Sequence, residues 1–200
     1  MSIWNLLDGG MSNPAPPTNW RQRFVFWCGR RLARRYKNVH VPKSCRIHPG
    51  AKINPRDGAI YFGEDCIVAD GAIIQGNVRF GDHCSVQPYT ILTGTGTREN
   101  PIGQITIGNY VRIASHGMMI AANHNFSDPK KPIHHQGLTL GPITIEDDVW
   151  IGGRVNITAG TTIAHGSVIG SGSVVTKDIP AMSIAVGVPA KVIKSRNDVS

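Results

Sequence analysis

Residues 145–175 read IEDDVWIGGRVNITAGTTIAHGSVIGSGSVV, and every sixth position from the first (Ile145, Ile151, Ile157, Ile163, Ile169 and Val175) carries Ile or Val. The same spacing recurs in two earlier frames: Phe62, Val68, Ile74, Phe80, Val86 and Leu92, then Ile107, Ile113 and Met119. All fifteen positions are apolar in a chain that is 40 % hydrophobic, a coincidence of about one in a million. A period near 3.6 would mean an amphipathic helix and a period of 2 a half-buried strand, whereas a period of six marks short strands turning around a solenoid core.

The remaining hexad positions support this reading. The residue after the apolar one is usually small (Gly63, Ala69, Gly81, Gly108, Ala114, Gly152, Ala164, Gly170), and the fifth is small or β-branched (Cys66, Ala72, Val78, Cys84, Thr90, Val111, Val149, Val155, Thr161, Ser167, Ser173). Small groups let the backbone bend at corners. No single turn of such a coil buries its own apolar edge, so stacking must supply the core.

Two hundred residues suit one domain built on one solenoid. No apolar stretch is long enough to span a bilayer, and Met1 to Pro17 shows neither a basic n-region nor an apolar h-region, so a cytoplasmic protein is expected. Cys28, Cys45, Cys66 and Cys84 lack CxxC spacing, and Cys66 and Cys84 fall on the small corner position, which favours reduced structural thiols. The net charge of +8 is uneven: residues 1–56 hold eleven Lys or Arg against the single acid Asp8.

Within that basic stretch, Trp20 to Tyr36 reads as a helix. Trp20, Phe24, Cys28, Leu32 and Tyr36 form an i,i+4 stripe, with Arg21, Arg23, Arg30, Arg31, Arg34 and Arg35 around the remainder. Two roles stand open: a cap packed over the open solenoid end, or a basic amphipathic helix resting on an anionic membrane surface, cytoplasmic but peripheral to the membrane. No aromatic-and-basic nucleic-acid motif is present, so no nucleic-acid partner is expected.

Function is expected where the repeat breaks, because a long insertion must leave the wall as a loop. The breaks are about Thr93 to Thr106 (TGTGTRENPIGQIT) and Asn123 to Pro142 (NHNFSDPKKPIHHQGLTLGP). His124 stands where the strand ending Met118-Met119-Ile120-Ala121-Ala122 leaves the wall, so its backbone is anchored while its ring faces outward. A neutral imidazole so placed can accept a proton from an attacking hydroxyl and hand it to a leaving thiolate. His116, His134 and His135 carry weaker signals as surface groups. Trp150 holds the sixth hexad position beside the inward Ile151, so it should project outside the core and seek a partner.

The segment from Asn123-His124 through ITIEDDVWIGGRVNITAGTTIAHGSVIGSGSVVTKDIPAMSIAVGVPAKVIKSR resembles the hexapeptide-repeat O-acetyltransferases, a group that includes galactoside and maltose acetyltransferases and the sugar acetyltransferases of bacterial polysaccharide clusters. NH and its loop, then DDVWIG, VVTKDIP and GVPAKVI in order, carry the specificity. The resemblance implies an all-β solenoid, a left-handed parallel β-helix with three hexads per triangular coil of about eighteen residues. It divides the chain into a basic, partly helical segment at 1–45, the β-helix at 46–186 and a short C-terminal tail at 187–200. It also implies a homotrimer with active sites in the grooves between subunits and acetyl-CoA as donor.

Position by position, His124 matches the family's catalytic histidine and Trp150 the tryptophan beside the pantetheine arm. Gly153 and Ser171 match positions that contact the cofactor through the groove wall, with Gly152 beside them a further candidate cofactor contact; Thr176 and Lys177 match the family's TK pair, and Lys191 and Lys194 the basic residues near the adenine nucleotide. Asn123 and Tyr89 are the candidate acceptor contacts, Tyr89 standing where those enzymes carry an asparagine. Backbone N–H groups at Gly152 or Gly153 are the expected oxyanion donors.

The resemblance implies transfer to a sugar hydroxyl in a polysaccharide or lipid-linked oligosaccharide, with His124 as general base in a direct ternary complex. N-acetylation of an amino-sugar, acetylation of an antibiotic and a non-catalytic trimeric scaffold are the alternatives. Solenoids of the gamma carbonic anhydrase type bind zinc through three histidines, but His116 and His124 are eight apart and His83 is a poor third, so no metal is expected.

Overall fold

The computed structural model describes residues 3–4 and 15–198. The stretch 1–14, read above as lacking a leader, lies outside the described residues except for Ile3 and Trp4. From Val39 onward the chain winds a left-handed parallel β-helix with three walls. The first wall stacks Val39–His40, Ile60–Tyr61, Val78–Phe80, Ile105–Ile107, Ile143–Ile145 and Thr162–Ile163. The second runs from Arg46–Ile47 through Ile67–Val68, Ser85–Val86, Arg112–Ile113, Trp150–Ile151 and Val168–Ile169 to Ser183–Val186. The third contains Lys52–Asn54, Ile73–Gln75, Ile91–Thr93, Met118–Ile120, Asn156–Ile157 and Val174–Val175.

All fifteen positions of the six-residue repeat are buried, so the repeat is the core. Each of these side chains contributes roughly 1.5–3 kcal/mol by leaving water, and none could do so without the coils above and below it. The fifth hexad position also points inward, at the corners. There Thr90 donates its hydroxyl to Ala114 O (2.8 Å) and Ser167 to Pro180 O (2.8 Å), which removes the penalty of burying them. Cys45, Cys66 and Cys84 occupy one such column and are free thiols. The hydrogen bond with Cys66, and then burial, pushes the Cys45 thiol well above its ordinary pKa, which suits packing rather than reactivity.

At the corner between the first and second walls, side-chain oxygens hold successive coils together. The Glu64 N–H donates to Asp82 Oδ1 (2.7 Å), Asp82 N–H to Asn109 Oδ1 (2.8 Å) and Asn109 N–H to Asp147 Oδ1 (2.7 Å). Asn109 keeps two carboxylates from stacking directly on each other.

Helix α1 (Trp20–Ala33) lies over the first coils. Asn19 caps it by accepting from the Gln22 N–H (3.0 Å), and Arg30 and Arg31 sit in its last turn, where the helix dipole favours cations. Its buried face is Val25, Phe26, Gly29 and Ala33. The i,i+4 stripe read from the sequence instead leaves Trp20, Phe24 and Leu32 exposed. Close approach explains the difference, because a Cβ on Gly29 would stand 1.8 Å from Ile47 O, so only the face with Gly29 and Ala33 can reach the wall. Arg30 Nη1 donates to Cys45 O (3.0 Å) and Arg34 Nε to Val41 O (2.8 Å), pinning the helix to the solenoid end. At the other end, Lys191–Ser195 folds back antiparallel on Ser183–Val186.

Gly29→Ala should therefore lower stability by about 1–3 kcal/mol through overpacking, although alanine is the better helix former. A thermal melt reads this. An unchanged or raised midpoint would show that the helix does not pack as described.

Candidate active site

The ladder steps by 18 residues from Ile60 to Val78, by 27 from Val78 to Ile105, by 38 from Ile105 to Ile143 and by 18 again from Thr144 to Thr162. Both long insertions leave the third wall and return on the first, so they sit on one corner, one coil apart. Both are ordered. Asn77, buried, donates to Thr95 O (2.9 Å) and Thr97 O (3.0 Å) under the first loop. Gln136 ties the second through Asp128 O (2.9 Å) and Lys131 O (2.8 Å).

The second insertion opens and closes as a hairpin, Ala122–His124 pairing antiparallel with Leu138–Leu140 and His124 facing Leu138. His124 and Asn123 line a cavity of about 400 Å³ with Arg56, Thr93, Met118, Ile120, Asn156 and Thr158 among its other walls. The histidine is therefore held by a sheet ladder beside a mixed apolar and hydroxyl surface, which is suitable placement for a general base. Among the described residues no side chain orients its ring by a hydrogen bond.

Directly above this cavity the same corner continues. Ile157 pairs with Val175, and Thr158 N–H donates to Val175 O (3.0 Å), which stacks Thr158 under Thr176. Thr176 and Lys177 are exposed there. A column thus runs from His124 to the TK pair along one edge of the third wall. Gly153 and Ser171 lie at its other edge, where Gly153 N–H donates to Ser171 Oγ (3.2 Å).

Trp150 lies elsewhere. It projects from the second wall, 56 % exposed, in a separate cavity of about 600 Å³ lined by His83, Tyr110, Arg112, Asp148 and Arg196. His83 and Tyr110 stack at 4.9 Å, and Arg196 closes the cavity through Asp148 (2.7 Å) and Gly166 O (3.0 Å). Lys191 and Lys194 are exposed on the terminal strand of this second wall. Tyr89 stands at the corner between the second and third walls, stacked on His116 at 5.4 Å. Within one chain, then, Asn123 and His124 come together, while Trp150 and Tyr89 remain on other surfaces.

The expected oxyanion donors are both committed. Gly152 N–H donates to Ile169 O (2.8 Å) in the ladder, and Gly153 N–H to Ser171. Among the described residues no group of three or more His, Cys, Asp or Glu could hold a metal, and no helix is long and apolar enough to cross a membrane.

Comparison with known proteins identifies this architecture. The bacterial transferase hexapeptide family (six repeats) matches residues 142–177. A putative lipopolysaccharide biosynthesis O-acetyl transferase, WbbJ of Escherichia coli K12, is 32 % identical over 166 residues, covering 78 % of this chain and 81 % of that protein. The chain belongs to the hexapeptide-repeat sugar acetyltransferases.

Other relatives match in part. A probable acetyltransferase of Mycobacterium tuberculosis is 39 % identical over 122 residues, 61 % of this chain and 38 % of that protein. The galactoside O-acetyltransferase of E. coli K12 is 43 % identical over 97 residues, 46 % of this chain and 48 % of that enzyme. The chain thus spans less than half the length of these two. Among solved structures, a mutant of AntD, an N-acyltransferase from Bacillus cereus in complex with dTDP-4-amino-4,6-dideoxyglucose and Coenzyme A, superposes with a TM-score of 0.68 at 27 % identity, covering 78 % of this chain and 83 % of that one.

Asp148 stands two residues before Trp150, but His83, Tyr110 and Arg112 are not legible as its neighbours in the sequence: they lie 67, 40 and 38 residues before it, and only the insertion lengths bring them into the patch. The register supplies the signal that would find them, since Arg112 pairs with Trp150.

The adjacent glycines differ in packing. A Cβ on Gly152 would meet Ser171 N at 2.6 Å and Ile169 O at 2.8 Å, whereas one on Gly153 meets only Ser115 O at 3.5 Å. Gly152→Ala should cost about 1–3 kcal/mol of stability. Gly153→Ala should melt as wild type and raise the KM for acetyl-CoA. Equal melting of the two variants would contradict this packing.

Proposed function

We propose that the protein transfers an acetyl group from acetyl-CoA to a hydroxyl of a sugar carried on a polysaccharide or lipid-linked oligosaccharide. The observation that carries this is His124, fixed on a hairpin strand in a cavity with hydroxyl and amide walls, at the foot of a column leading to Thr176 and Lys177. Exposed Lys177, Lys191 and Lys194 offer positive charge for the phosphates of CoA. A single ordinary contact at Gly153, with Ser115 O at 3.5 Å, and open space beside Gly172 leave room for an extended arm along the wall. These residues fit CoA.

The bound thioester supplies the activated acyl group. His124 takes the proton of the attacking hydroxyl as the new C–O bond forms, and passes it to the sulfur as the C–S bond breaks. Asn123 orients the acceptor, and Met118 and Ile120 exclude water.

A homotrimer accounts for the separation of His124 from Trp150. A site using both must draw on two copies, with the neighbour's Trp150 brought to the column above His124. The hairpin favours such a neighbour, because Phe126, Ile133 and Leu138 are exposed apolar groups without cover in a single chain.

A second reading is N-acylation of a sugar nucleotide, favoured by the likeness to AntD, whose structure holds an amino-sugar nucleotide. The same histidine would accept the ammonium proton. Turnover of acetyl-CoA against free and polymer-bound sugars, sugar nucleotides bearing amines, and antibiotics, with product mass and linkage, decides between them. O-acetyl product releases acetate in mild alkali, whereas N-acetyl product does not. A chain that binds no CoA would be a scaffold, and the proposal would fall.

His124→Ala should lower kcat about a hundredfold or more while leaving oligomer mass and CoA affinity intact. Near-normal turnover would remove His124 from the mechanism.

Mixing chains tests the shared site. Inactive His124→Ala and Trp150→Ala proteins, unfolded together and refolded, should regain about a quarter of wild-type sites, since each mixed trimer then holds one intact pair. No recovery would mean that the two residues serve one chain's own site or separate tasks.

A further inference from the structure

The cap helix has a second face that the solenoid does not use. Trp20, Phe24 and Trp27 follow one another along α1 and are 71, 46 and 54 % exposed, with Phe24 stacked on Trp27 at 5.9 Å. Three large aromatics on one outward strip are costly in water and lie beyond the reach of the core below.

The arginines divide into two sets. Arg30 and Arg34 commit their guanidinium groups to Cys45 O and Val41 O, and Arg35 lies over the Tyr36 ring at 4.8 Å. Arg21, Arg23 and Arg31 are exposed beside the aromatic strip, with Arg21 over the Trp20 ring at 5.8 Å. Residues 15–56, which supply the helix and the first coil below it, contain no Asp or Glu.

Between α1 and the first coil lies a cavity of about 320 Å³, lined by Arg23, Phe26, Arg30, Lys43, Ser44 and Arg46. Ser44 on its wall donates its hydroxyl to Glu64. Arg23 and Lys43 line this recess together with Arg30, already bonded to Cys45 O, and Arg46, which has a partner of its own, and the positive charge and volume of the recess suit a phosphate headgroup. The aromatic strip beside it matches the boundary between headgroups and acyl chains, where Trp is favoured.

We propose that α1 docks the protein on an anionic phospholipid surface. Trp20, Phe24 and Trp27 enter the headgroup boundary, Arg21, Arg23 and Arg31 pair with lipid phosphates, and the recess seats one headgroup. The proposal concerns the end of the solenoid and does not depend on the reaction assigned to His124.

The full chain is tested by flotation with phosphatidylcholine vesicles and with vesicles containing about 30 mol % phosphatidylglycerol, the anionic component that creates the surface potential. Binding to the second set alone, with a blue shift of tryptophan emission, is the expected result. Changing Arg21, Arg23 and Arg31 to Gln should weaken it on the order of a hundredfold, about fivefold for each charge. Trp20→Ser, Phe24→Ser and Trp27→Ser together should abolish the blue shift and most binding without moving the melting midpoint, because these side chains are exposed.

Four results would overturn the proposal: no flotation of wild type at low salt; binding that survives loss of the aromatics; saturable binding of inorganic pyrophosphate with no vesicle binding; or a doubling of native mass that the aromatic variant abolishes, which would assign the face to a second copy.

Discussion

Everything in this chain depends on the parallel in-register stacking of its coils. Each strand is only two or three residues long in most walls and has no independent stability. It persists because its N–H and C=O groups are taken by the coils on either side and because its inward residue meets its counterpart there, as Ile145 meets Ile107 and Ile163. The chain therefore returns to the same lateral position after every coil, whatever happens between. Insertions that lengthen the step from 18 residues to 27 and 38 leave the pairing intact, since the entropy of closing a loop rises only slowly with its length. Variation is confined to corners, and the corner between the third and first walls has taken both long insertions.

That constraint explains why some features are legible in the sequence and others not. Inward positions recur at a short local interval, so Ile145 to Val175 announce themselves without knowledge of the coil. Outward neighbours are set by the coil length, which the insertions change. Arg112 beside Trp150 and His83 beside Tyr110 are neighbours only once 38 and 27 replace 18. The break in the repeat points to His124, but it cannot show that Trp150 faces away on another wall. The helix face escapes a pattern reading for a different reason: large apolar residues at i,i+4 outweigh Gly29 and Ala33 in a pattern count, yet a backbone approaching Ile47 O admits only the small ones.

The same ladder limits the chemistry available to the glycines after Trp150. A backbone N–H at a corner is attractive for charge stabilisation when it is unpaired. Gly152 N–H is taken by Ile169 O, and Gly153 N–H is occupied by the Ser171 hydroxyl. The second bond is the weaker commitment, because a rotatable Oγ on an exposed residue can turn away at little cost, while a ladder carbonyl cannot. If either glycine donates to developing charge, Gly153 is the one the geometry leaves free to do so, and Ser171 is the group that must move.

The two ends of the solenoid solve the problem of an open edge differently. At the C-terminal end, Lys191–Ser195 turns back and supplies antiparallel hydrogen bonds to the last strand of the second wall. At the N-terminal end, Arg30 and Arg34 donate to the Cys45 and Val41 carbonyls of the first turn while α1 covers the core. A helix laid across an edge necessarily has an outer face, and ordinary capping would make that face polar. Here it carries two tryptophans, a phenylalanine and solvent-exposed arginines. In a trimer with parallel coils, three such faces would share one end, and three individually weak contacts with one surface gain from the high effective concentration of the second and third. The cap would then fix the orientation of the coil axis against that surface, with the His124 corner several coils away and its loops turned to the side.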